Sequence, residues 1–92
     1  MSAVSAIYRR AADVRYRVVD GEAVVLSQNR GEVLGLNDVG ARLLELCDGV
    51  RELGAVLDVL SAEFDVERER LEREAGALVE ELVGIGVLVR AD

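Results

Sequence analysis

Val14-Arg15-Tyr16-Arg17-Val18-Val19-Asp20-Gly21-Glu22-Ala23-Val24-Val25-Leu26 is the stretch from which the fold can be read. Val14, Tyr16 and Val18 alternate with Arg15 and Arg17, the two-residue period of a half-buried strand. Asp20-Gly21 readily takes the positive φ angles of a two-residue type I′ connection, so Glu22 to Gln28 returns antiparallel to the first strand. A second turn, Asn29-Arg30-Gly31, leads into a third strand from Glu32 to Leu36, which completes a meander.

Beyond the meander the period changes. Asn37 is a good N-cap and Asp38 places charge favourably in a first turn, which predicts a helix from Asp38 to Cys47, ended by Asp48-Gly49. A second helix is expected from Glu52 to Glu63, with Leu53, Val56, Leu57, Leu60 and Phe64 at helical spacing, although Val50 and Arg51 are poor caps. Asp65 is read as the cap of a third helix from Val66 to Val83. Its core face centres on Leu71, with Ala75, Leu78, Leu82 and Ile85. One flank carries Arg70, Glu74, Ala77 and Glu81, the other Glu72, Val79 and Val83. Val87-Leu88-Val89 reads as a short strand or extended tail. Residues 1–12 show no period and are expected to be a loosely ordered N-terminal arm, with one domain over 13–92. The fold class is α+β, a three-stranded antiparallel N-terminal sheet packed on three helices.

Composition narrows the function. The chain has 92 residues, 11 basic and 18 acidic, a formal charge of −7 and 3% aromatics. Residues 1–37 carry net +1 and 38–92 net −8, so the acidity belongs to the helical half. Such a surface repels phosphates and offers few rings for base stacking, which argues against nucleic acid as a partner. Nothing reaches the apolar length of a membrane span, and no secretory signal follows Arg9 and Arg10, so a soluble cytoplasmic protein is expected.

The inventory for catalysis is thin. There is no His, and the single Cys47 sits among leucines, so N/S zinc sites and a Cys-His pair are excluded within the chain. The alternation of Glu67, Glu69, Glu72 and Glu74 with Arg68, Arg70 and Arg73 reads as a solvated helix face. No phosphate-binding glycine motif is present, and neither cofactor nor metal is expected. Gly40 and Gly76 fall inside helices, where close approach of another element would account for them. What remains is a sheet edge. The Glu32–Leu36 strand ends its sheet with one charged residue, Glu32, and is either covered internally or kept for a partner.

Three segments together resemble a known family: Val18-Val19-Asp20-Gly21-Glu22-Ala23-Val24-Val25-Leu26, Gly31-Glu32-Val33-Leu34-Gly35-Leu36-Asn37, and Val39-Gly40-Ala41-Arg42 followed by Leu44-Glu45-Leu46-Cys47-Asp48-Gly49. With Leu71, Leu78, Leu82 and Gly86-Val87-Leu88 behind them, they are similar to the PqqD-like proteins, the precursor-peptide (RiPP) recognition elements. The resemblance implies a non-catalytic, winged-helix-like domain. It implies that the leader of a ribosomally made precursor peptide adds as a strand to the Glu32–Leu36 edge beside the third helix. The peptide would then pass to a modifying enzyme, a radical SAM enzyme or a leader peptidase. Carried onto this chain, Val33, Leu34, Gly35 and Leu36 supply main-chain hydrogen bonds, and Arg70, Glu74, Ala77, Leu78 and Glu81 the cleft wall. The chain departs from the family pattern at Gly35, where an aromatic is common, and at Glu74, where an aspartate is common. It also lacks the aromatic-rich ending of proteins serving pyrroloquinoline quinone synthesis, so a lasso-peptide pathway fits equally. Two rival readings are a winged-helix DNA-binding regulator and a dimerisation module using the same edge.

Overall fold

The computed structural model describes residues 3–28 and 30–92. A short 3-10 turn, Ala3–Ser5, precedes six strands and three helices: β1 (Ile7–Arg10), β2 (Val14–Val19), β3 (Glu22–Ser27), β4 (Glu32–Leu36), α1 (Asp38–Leu46), β5 (Asp48–Glu52), α2 (Leu53–Glu63), α3 (Arg68–Gly84) and β6 (Leu88–Arg90). The result is a small mixed α and β domain with two antiparallel three-stranded sheets, ordered β2-β3-β4 and β5-β1-β6.

The meander forms as its local sequence dictates. Asp20 and Gly21 both take positive φ, 53° and 81°, and join β2 to β3 with Val19 opposite Glu22. Gly31, also at positive φ, donates its N–H to the Ser27 carbonyl at 2.8 Å and turns the chain into β4. Asn29, assigned to this turn from the sequence, lies outside the described residues. The inner sheet face buries Val14, Ala23, Val25 and Leu36 on the helices, whereas Val24, Leu26 and Val33 face outward and are exposed.

The second sheet corrects the sequence reading in two places. Residues 1–12 were expected to be a loose arm. Met1 and Ser2 lie outside the described residues, but Ile7–Arg10 is a central strand paired on both sides, to β5 and to β6. Asp48–Glu52, expected as a helix end and restart, is itself a strand. Asp48 Oδ1 accepts the N–H groups of Val50 and Arg51 at 2.9 and 3.0 Å, which shapes the turn into it. Arg10 ties this sheet to α1: its Nη1 donates to the carbonyls of Leu44, Glu45 and Cys47 at 2.8, 3.0 and 3.2 Å, groups that a helix C-terminus leaves without partners.

Asn37 caps α1 as expected, its Oδ1 accepting the Gly40 N–H at 2.9 Å. The third helix begins later than the sequence suggested. It starts at Arg68, with Glu67 as an N-cap that makes no side-chain capping bond, so Asp65 is not the cap. Its buried stripe is Leu71, Ala75, Val79 and Leu82. Val79, placed on a flank in the sequence reading, is only 2% exposed, and the helix is rotated accordingly. Leu78 is thereby moved out of the core to a half-buried position. The centre of the molecule is aliphatic, with Leu43, Leu44, Leu57, Leu60, Leu71, Leu82 and Leu88 fully buried.

Candidate functional site

The direction of each backbone group on β4 follows from the hairpin. A two-residue loop closes on a pair that exchanges hydrogen bonds, here Val19 and Glu22, and pairs then alternate along the ladder. Glu22, Val24 and Leu26 therefore bond to β2, while Ala23, Val25 and Ser27 direct their groups to β4. Two bonds outside the ladder agree with this parity. The Gln28 N–H reaches back to the Asp13 carbonyl beside β2, and the Ser27 carbonyl on the other side accepts from Gly31. Across β4 the partners of Ala23, Val25 and Ser27 are Leu36, Leu34 and Glu32. The N–H and C=O groups of Val33 and Gly35 consequently point away from the sheet. β4 pairs with β3 alone, so this is an open edge among the described residues.

A groove of about 340 Å³ opens beside the end of that edge, between β4, α1 and α3. Leu36, Val39, Leu43, Val66, Leu71 and Leu78 supply most of its apolar lining, and Gly35, Asn37, Gly40, Glu74 and Ala75 complete it. Its depth depends on Gly40, since a methyl group there would stand 3.3 Å from Leu36 Cβ, Asn37 Oδ1 and Leu78 Cδ2. Close approach thus accounts for Gly40 but not for Gly76, where an added Cβ meets nothing within 4 Å. At its mouth the groove continues into a polar depression lined by Asp65, Glu67, Arg70 and Arg73 and sharing Asn37, Val39, Val66 and Glu74. Arg70 Nε donates to Glu74 Oε2 at 3.0 Å, an exposed pair one helical turn apart.

The residues named from the sequence are partly brought together. Gly35, Leu36, Glu74 and Leu78 share the groove, Val33 and Leu34 precede it on β4, and Arg70 stands at its mouth. Ala77 lines a separate depression with Tyr8 and Leu53, and Glu81 lies exposed farther along α3. Sequence reasoning missed Val39, Leu43, Val66, Leu71 and Ala75. Each reads as core or connector, and only the gap left between α1 and α3 shows that they also face a cavity. Cys47 offers no nucleophile. It is buried, and desolvation pushes its thiol up to about 11, against a smaller opposing pull from Arg10. Among the described residues no group of three His, Cys, Asp or Glu is placed to hold a metal.

An open strand margin beside an apolar groove is a surface for an extended polypeptide. The family model described as coenzyme PQQ synthesis protein D, PqqD, matches residues 22–88. The chain belongs to the PqqD family. Curated PqqD-family relatives are named PqqA binding protein. That of Rhodopseudomonas palustris strain TIE-1 is 31% identical over 68 residues, which cover 74% of this chain and 65% of the relative. That of strain BisB5 is 29% identical over 82 residues, covering 89% and 78%. Two solved structures share the fold. TbiB1 in complex with the TbiA(beta) leader peptide superposes with a TM-score of 0.77 at 26% identity, over 87% of this chain and 93% of that one. Lasso peptide synthetase B1 complexed with the leader peptide gives 0.76 at 28% identity, over 89% and 96%.

Proposed function

We propose that this PqqD-family chain binds the leader segment of a ribosomally synthesised precursor peptide as a fourth strand on β4 and presents it to a modifying enzyme. The observation that carries the reading is the outward direction of the Val33 and Gly35 backbone groups beside an apolar groove. Backbone pairing gives sequence-tolerant affinity, and one or two apolar leader side chains in the groove contribute ~1.5–3 kcal/mol each before ordering costs. Side chains around the groove then set the choice of leader, with Asp65 and Glu67 offering carboxylates to a cation on it while Glu74 is held by Arg70.

Within this reading the chain itself performs no chemistry, and the modifying enzyme is a radical SAM enzyme or a leader peptidase. The recognition unit is residues 13–92 together with β1. Its helical half, in which α1, β5, α2, α3 and β6 follow one another and β1 joins β5 to β6, is of winged-helix type. Its place is the cytoplasm, where ribosomal precursors are made; no helix among the described residues is long and apolar enough to cross a membrane. The exposed surface of α3 carries Glu69, Glu72, Glu74, Glu80 and Glu81 against Arg68, Arg70 and Arg73, a net negative charge that disfavours the regulator that reads duplex DNA.

The test is an NMR titration with three probes: PqqA, the TbiA(beta) leader, and a peptide enriched on this protein from a displayed random library. Binding of any of them should shift amide signals at residues 33–40 and 71–78. Saturable binding that perturbs only surfaces remote from β4, or failure of all three to bind, contradicts the reading.

A further inference from the structure

Gly35 is a glycine that neither the backbone nor the core demands. Its φ is not in the left-handed region, unlike Gly21, Gly31, Gly49 and Gly86, and a Cβ built on it meets nothing within 4 Å. Glycine inside a strand forfeits packing and strand propensity, and such a position often marks the close approach of another chain. Gly35 stands opposite Val24, whose side chain is 54% exposed on the outer face of the sheet. A shallow depression lined by Glu22, Ala23, Val24, Gly35, Leu36 and Asn37 lies at this end of the sheet, and the register puts Val24 and Gly35 on its outer face.

A strand added to β4 reads both faces, because successive side chains fall on opposite sides whichever way it runs. If one residue enters the groove, the next in the chain lies on the outer face. The peptide residue directly opposite Gly35 has its side chain over the glycine, where an added Cβ meets nothing within 4 Å, with Val24 one strand further in. A flat ring laid across an edge glycine covers exposed backbone and the adjacent apolar side chain, a known stabilising device in sheets.

We propose that the notch over Gly35 is a second side-chain subsite, on the outer face of the sheet, that takes an aromatic residue of the bound peptide while the next residue along occupies the groove. The inference rests on the strand-addition reading above. It makes recognition depend on a pair of adjacent residues, one aromatic and one apolar, rather than on a single anchor.

The experiment selects binders from a displayed library of randomised 12-residue peptides against the unaltered protein, Gly35→Val and Val24→Ser, with circular dichroism confirming that each variant is folded. Peptides enriched on the unaltered protein should carry an aromatic residue next to an apolar one, and replacing that aromatic by Ala should weaken binding about tenfold. Against Gly35→Val, where the notch is filled, and Val24→Ser, where its apolar wall is lost, the aromatic preference should fall while the apolar preference remains. An aromatic preference unchanged in both variants overturns the subsite, as does its absence from peptides that still carry the apolar residue. Val33→Pro separates the two levels. Enriched peptides insensitive to it, or no enrichment at all, overturn strand addition and the subsite with it, whereas loss of the aromatic preference with sensitivity to Val33→Pro overturns the subsite alone.

Discussion

Gly40 on α1 and Leu78 on α3 are packed so closely that a methyl group on the first would stand 3.3 Å from Cδ2 of the second. The same methyl would press on Leu36 Cβ and on Asn37 Oδ1, the oxygen that caps α1. Replacing a mid-helix glycine by Ala ordinarily stabilises by up to about 1 kcal/mol. At position 40 the sign should reverse. Gly40→Ala is expected to lose about 1 kcal/mol through overpacking and a disturbed cap, and to weaken peptide binding by pushing Leu78 into the groove. Gly76→Ala, with open space around it, should gain about 0.5–1 kcal/mol. Urea unfolding of the two variants side by side checks the contrast.

Arg10 joins the first strand to the end of α1. Its Nη1 donates to three carbonyls, and its guanidinium lies 5.5 Å from the Tyr16 ring centre. Arg10→Ala should therefore lower stability by about 2 kcal/mol, a loss in the range for hydrogen bonds to a charged group. Arg10→Lys should recover less than half, because an ammonium lacks the flat guanidinium that spans these acceptors and the ring. Denaturant midpoints measure both.

Burial of Cys47 gives stability a pH dependence on the alkaline side. Its thiol is raised from an ordinary 9.0 to about 11 by desolvation. Below about pH 9 both folded and unfolded chains keep the proton, and the contribution is intact. Between about 9 and 11 the unfolded chain releases it more readily, so stability should fall as pH rises through that window. Cys47→Ala should flatten this part of the profile, and thiol reagents should label the folded protein far more slowly at pH 8 than the denatured one.

These contacts also indicate which parts of the fold were legible beforehand. The β2–β3 hairpin and α1 were legible because Asp20-Gly21 and Asn37 act on their immediate neighbours. β1 and β5 were not. Ile7-Tyr8-Arg9-Arg10 has no alternation, and Asp48-Gly49-Val50-Arg51-Glu52 is mostly polar, so both become strands only by pairing with distant segments, β1 with β5 through Ile7–Glu52 and Arg9–Asp48 and with β6 on its other side. At the site, β4 and Leu78 could be named in advance. The groove floor could not, because helical spacing marks Leu71 and Ala75 as buried without telling whether core atoms or a cavity lie above them. Rotation of α3 toward Val79, which frees Leu78, is set by packing against the rest of the core.

Proline substitutions separate the two sides of β4. Val33→Pro removes a donor that faces away from the sheet, at a residue 70% exposed. It should leave the fold intact while weakening peptide binding at least tenfold. Leu34→Pro removes a donor shared with Val25 inside the sheet and should cost about 3 kcal/mol of stability. Equal effects of the two on stability, read by thermal unfolding, would show that the parity assigned to β4 is wrong.

Amide hydrogen exchange at Val33 and Gly35, followed by NMR with and without a library-selected peptide, tests strand addition most directly. Both amides should exchange rapidly in the free protein, Leu34 and Leu36 should be protected throughout, and saturation with peptide should slow Val33 and Gly35 by tenfold or more. Protection of Val33 and Gly35 already present in the free protein, or peptide binding that leaves them as fast as before, would contradict it.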